Sequence, residues 1–78
     1  MLELLRTNDV VALSYATALL RDADIGHMVM DENMSVLEGS VGVLPRRLLI
    51  EREARAQAVR LLDDAGLAHL IGDQARTA

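Results

Sequence analysis

The chain reads as a single small α+β domain with the element order βαββαβ, and three observations predict it. Sliding the sequence by 42 positions lays residues 9–31 over residues 51–73 without a gap, with eight identities among twenty-three aligned pairs. Each of these matched stretches carries apolar residues at helical spacing. Short aliphatic runs of strand length stand before and after each of them. The two halves therefore share one physical plan, whether by duplication or by the common composition of helices.

The first strand is expected over residues 2–6, an aliphatic run closed by polar residues. A helix follows, with Asn8 as the expected N-cap and Asp9 favoured by the positive end of the helix dipole. Ala12, Ala16, Leu19, Leu20 and Ala23 fall at i, i+4, i+7, i+8 and i+11, which makes one stripe down that helix. Small alanines at its start let the backbone lie close to a sheet, and the paired leucines fill the volume further along. Asp24 must then take the left-handed position that ends the helix, a role it fills less comfortably than glycine would.

Residues 26–31 are the second strand and residues 47–50 the third. The second helix begins near Glu51, with an acidic first turn, and repeats the stripe as Ala54, Ala58, Leu61, Leu62 and Ala65. Gly66 supplies its left-handed C-cap. The repeat makes residues 68–71 a fourth strand, and residues 73–78 are left as a flexible tail beyond a domain of residues 1–72. Two right-handed βαβ units interleaved in this order give a ferredoxin-like fold, a four-stranded antiparallel sheet of order 4-1-3-2 with both helices on one face.

Composition narrows the function classes. Half of the 78 residues are hydrophobic and about a quarter are charged, which suits a packed domain and not a disordered one. No apolar run approaches the roughly 20 residues needed to span a bilayer, and the first three residues lack the basic start of a secretory signal, so a cytoplasmic location is expected. The chain has no cysteine, hence no thiolate nucleophile and no CxxC motif. With a net charge of −4, eight dispersed arginines and Tyr15 as the single aromatic, neither a nucleic-acid nor a membrane partner is expected.

The connection over residues 31–45 is far longer than a hairpin needs, and long connections tend to carry function. Asp31, Glu32, Asn33 and Ser35 offer polar groups, Gly39 and Gly42 offer backbone freedom, and Arg46 and Arg47 follow at once. One reading has the two arginines meeting an anion, with loop amides around the glycines completing the cradle. The plainer reading is that neighbouring strand residues point to opposite faces, so only one arginine can face any given pocket.

No metal site is expected. His27 and Asp31 share a strand face but stand about 13 Å apart at roughly 3.3 Å per residue. His27 and His69, equivalent by repeat, would be about 14 Å apart across the sheet. Met28, Met30 and Met34 are read as core filling in preference to an adaptable binding surface. There is no P-loop, HExxH or Ser-His-Asp spacing, and no cofactor is implied.

The run Asp31-Glu32-Asn33-Met34-Ser35, then Gly39 and Gly42, then Arg47-Leu48-Leu49-Ile50 and a Glu-rich helix start, resembles a small bacterial family of putative prokaryotic signal-transducing proteins. The opening Leu4-Leu5-Arg6-Thr7-Asn8-Asp9 and the helix end Leu20-Arg21-Asp22-Ala23-Asp24-Ile25 match as well. That resemblance implies regulation and supplies no catalytic residue.

The expectation is therefore a regulatory or interaction module, not an enzyme, that binds a small anionic ligand or a protein through the long connection. The alternatives are a small hydrolase of a phosphorylated substrate, using Arg46 or Arg47 with Asp31 or Glu32, and a purely structural dimerisation module. A homodimer through the open sheet face is the expected assembly.

Overall fold

A computed structural model describes residues 1–30 and 45–77 of the chain. Strand β1 (Leu2–Thr7) leads to helix α1 (Val10–Asp22) and strand β2 (His27–Met30). Strand β3 (Arg46–Ile50) follows, then a 3₁₀ turn at Arg52–Ala54 running into helix α2 (Arg55–Asp64). A second 3₁₀ turn at Ala68–Leu70 and a short helix α3 (Asp73–Thr77) complete the described chain. The sheet is antiparallel throughout, in the order β1-β3-β2.

Three of the expected strands are thus present in the expected order. The fourth is not formed among the described residues. Where a strand was expected at residues 68–71, the chain turns in a 3₁₀ loop, with Leu70 N–H donating to Leu67 O at 3.0 Å and Ile71 N–H to Ala68 O at 3.2 Å. Only Ile71 reaches β1, as an isolated antiparallel bridge to Leu5, and Gly72 N–H adds one bond to Leu4 O at 2.9 Å. The physical reason lies in composition: Ala-His-Leu has no β-branched residue to favour an extended backbone, and the tight turn uses up the length a ladder would need.

Residues 73–77, read as a tail, form α3 and pack. Ala75 is fully buried in the core, and Arg55 donates to Ala75 O at 2.9 Å. Arg76 reaches back to Asp63 at 3.2 Å and to Ala68 O at 3.0 Å.

Helix α1 begins one residue later than expected. Asp9 is the N-cap, accepting on Oδ1 from Val11 N–H at 3.0 Å and from Ala12 N–H at 3.1 Å, while Asp9 N–H donates to Thr7 Oγ1. A carboxylate is well suited to that place because it meets both free amides and the dipole. Helix α2 lacks a side-chain cap and enters through its 3₁₀ turn instead.

Both long helices end in the same motif. After α1, Ile25 N–H donates to Leu20 O at 2.9 Å and Asp24 N–H to Arg21 O at 3.0 Å. After α2, Leu67 N–H donates to Leu62 O at 2.8 Å and Gly66 N–H to Asp63 O at 3.1 Å. These are paired Schellman closures 42 residues apart, and in each the two bonded aliphatic residues, Ile25 with Leu20 and Leu67 with Leu62, are buried in the core cluster. The left-handed residue is Asp24 (φ 61°) in one and Gly66 (φ 82°) in the other.

The core forms between the helices and one sheet face. Leu4, Leu5, Leu20, Leu48, Ile50 and Leu62 are its largest fully buried side chains, each worth roughly 1.5–3 kcal/mol of burial. Ala16 and Ala58 are fully buried at the small positions of the two stripes, and Leu19, Ala23, Ala54, Leu61 and Ala65 pack against the cluster. A β-bulge lets two consecutive leucines point inward: the β1–β3 register shifts between Glu3 and Leu5, so Leu4 has no partner on β3. No helix among the described residues is long and apolar enough to cross a membrane.

Candidate functional site

Directly opposed residues in an antiparallel pair share a face, so the registers sort the sheet into rows. The helix-facing rows are Leu2, Ile50 and His27, then Leu5, Leu48 and Val29, then Thr7 with Arg46 at the end. The open face carries two rows. One is Glu3, Leu49 and Met28, and the other is Arg6, Arg47 and Met30.

The second row holds the most unusual arrangement in the sheet. Arg6 and Arg47 stand directly opposite each other on strands about 4.8 Å apart. Like charges in that relation destabilise a sheet, typically by a few tenths of a kcal/mol to about 1 kcal/mol. On the β1 side the repulsion is offset by Glu3, whose Oε1 accepts from Arg6 Nη2 at 3.1 Å. Methionine and leucine flank the pair, with Met28 48% exposed. The result is a pair of fork-shaped donors beside a soft apolar rim, chemistry that suits a carboxylate or phosphate attached to an apolar body.

The pleat separates the two neighbouring arginines read from the sequence. Arg47 lies in the open-face row, and Arg46 lies opposite Thr7 on the helix-facing side, at the strand end near the N-terminus of α1. Both are half-buried and both engage other groups of the chain. Asp31, Glu32, Asn33, Ser35, Gly39 and Gly42 lie outside the described residues. Their connection departs after Met30 and returns at Pro45, beside the Arg6–Arg47 row.

Sequence reasoning missed Arg6, Glu3 and Leu49 as site residues. Arg6 is set against Arg47 by the bulge at Leu4, which alternation alone does not reveal. Met28 and Met30, expected in the core, lie at the surface instead, because both fall on the open face of the sheet, opposite Leu49 and Arg47.

A concave region lies at the other end of the sheet. Arg21, Asp24, Ile25, Gly26 and His27 line an open groove of about 310 Å³. His27 Nδ1 donates to Ile25 O at 2.9 Å, which ties the ring to the backbone. The Glu51 carboxylate closes over Gly26, where an added Cβ would sit 2.9 Å from Oε2. No group of three His, Cys, Asp or Glu able to hold a metal occurs among the described residues. This groove mixes one cation, one anion and a tied imidazole, and selects no ligand class.

Comparison with known proteins adds one match. The family model described as "putative prokaryotic signal transducing protein" covers residues 1–75. No match is found among curated proteins.

Proposed function

The chain belongs to the family of putative prokaryotic signal transducing proteins, and from that premise we propose that it is a small interaction module receiving an anionic group on its open sheet face. Arg6 and Arg47 are the primary contacts in this reading. Met30, Leu49 and Met28 would take the apolar body of the ligand or of an acidic protein segment. The observation that carries the reading is the direct opposition of Arg6 and Arg47 within a chain whose net charge is −4. Two guanidinium groups set side by side on one sheet face suit an oxyanion, which each can meet through paired N–H donors.

The test is an amide NMR titration of the full chain with inorganic phosphate. The expected shifts centre on Arg6, Arg47 and their neighbours. Arg47→Ala and Arg6→Ala should each remove a charge-assisted contact of roughly 1.5–3 kcal/mol, weakening binding about tenfold or more. Arg47→Lys should recover only part of it, since an ammonium lacks the fork. Shifts centred on Arg21 and His27, or equal in the wild type and both alanine variants, would sink the proposal.

A further inference from the structure

Methionine carries all the sulfur of this chain, which has no cysteine. With no thiol to compete, its thioethers are the targets a peroxide meets. Met28 and Met30 stand two residues apart on β2 and so project from the same side of the sheet, opposite Leu49 and Arg47. Both are open to solvent, Met28 48% exposed and Met30 37%. Met1 is 57% exposed as well, but it precedes β1 at the end away from Arg6, about 16 Å of strand off.

What singles out Met30 is the residue across from it. Directly opposed residues of an antiparallel pair have Cβ atoms about 4.5–5.5 Å apart, and Met30 opposes Arg47. The thioether sulfur lies two bonds beyond Cβ on an unbranched stem, within reach of the guanidinium. As a thioether it is only a weak acceptor and meets Arg47 as an apolar neighbour. One oxygen on that sulfur changes the contact, because a sulfoxide is polar and its oxygen accepts a charge-assisted hydrogen bond from a guanidinium. Met28 opposes Leu49, so its sulfoxide has no guanidinium directly across from it.

We propose that Met30 is an oxidative modification site that switches off the Arg6–Arg47 row: its sulfoxide oxygen takes the Arg47 donors that an oxyanion would use. This rests on the reading of that row as an anion site. The oxidant is hydrogen peroxide. The sulfur lone pair attacks one peroxide oxygen, an S–O bond forms and the O–O bond breaks. The hydroxide that leaves takes the proton from the sulfur-bound hydroxyl and departs as water. Sulfur loses two electrons and the peroxide gains them. Methionine sulfoxide reductases reverse the change, so the switch resets without new synthesis.

The experiment treats the full chain with hydrogen peroxide and places each added oxygen by peptide mass mapping. Arginine side-chain N–H resonances and the affinity for inorganic phosphate are read before and after. Met30 should gain one oxygen, the Arg47 side-chain resonances should move with it, and phosphate should bind about tenfold more weakly, the loss of one charge-assisted contact. A methionine sulfoxide reductase should restore both. Met30→Gln carries an amide oxygen on the atom that corresponds to the sulfur, so it should weaken phosphate binding with no peroxide present. Met30→Leu should lose the response to peroxide and Met28→Leu should keep it, with a native amide spectrum verifying the fold of each variant. The proposal is overturned if Met30 stays reduced while Met1 is oxidised, or if its sulfoxide leaves the Arg47 resonances in place. An unchanged affinity in an oxidised chain that binds phosphate overturns it too. A chain that binds no phosphate in either state removes the anion-site reading, and with it the switch, whereas a wild type that binds at Arg6 and Arg47 but ignores oxidation removes the switch alone.

Discussion

Replacing Gly66 by alanine isolates one backbone conformation from every packing effect. A Cβ built at Gly66 meets nothing within 4 Å, so no contact is gained and no clash is made. What remains is the φ of 82°, where an L side chain costs about 1–2 kcal/mol. The stiffer unfolded chain returns about 0.4–1 kcal/mol of that. Gly66→Ala should therefore destabilise by about 1 kcal/mol and lower Tm by about 4–8 °C, the slope for a domain of this size. The reverse exchange at the equivalent position, Asp24→Gly, should stabilise by about 0.5 kcal/mol. It relieves the φ of 61°, less costly for aspartate than for most residues, and takes a carboxylate away from the negative end of the α1 dipole. Urea unfolding followed by far-ultraviolet circular dichroism measures both. If Gly66→Ala leaves the midpoint in place, or if Asp24→Gly lowers it, the pairing of the two closures is wrong.

Three further outcomes follow from the packing. Asp9→Ala should cost about 1 kcal/mol by freeing the amides of Val11 and Ala12, with Asp9→Asn recovering most of it in the same unfolding assay. Leu48→Ala, at a fully buried position in the central strand, should cost about 2–5 kcal/mol, enough to leave a domain of this size largely unfolded on heating to physiological temperature. Removing residues 73–78 strips Ala75 from the core and the Arg76 contacts from Asp63 and Ala68 O, so amide exchange should speed up first at Leu4 and Leu5 while α1 keeps its protection.

Much of the architecture was legible because two signals agreed at each element. The stripe from Ala12 to Ala23 and its repeat named both helices, and the closing residues Asp24 and Gly66 marked where they stop. Strands β1, β2 and β3 were found to within a residue or so because aliphatic runs sat between polar boundaries. The segment 68–71 misled because its support came from the repeat alone, and a three-residue 3₁₀ turn satisfies the same hydrogen bonds in less length. The bulge at Leu4 was invisible for a related reason: alternation reads a flat ladder, and an extra residue shifts the face of everything after it. That is why Arg47 could be picked out as a candidate while Arg6, its opposite number, could not.

The contact of Ile71 and Gly72 with Leu5 and Leu4 ties the beginning of the described chain to its end. In a growing polypeptide this closure comes well after the pairing of the three strands. Residues 2–50 can pair β1, β3 and β2 as soon as they emerge, but the outer edge of β1 stays bare until residues 71–75 follow. At about 5–20 residues per second, that is a window of roughly one to five seconds. During it a bulged edge with two adjacent leucines faces the surroundings. The irregular register there makes the edge a poor template for a foreign strand while it waits for its own chain.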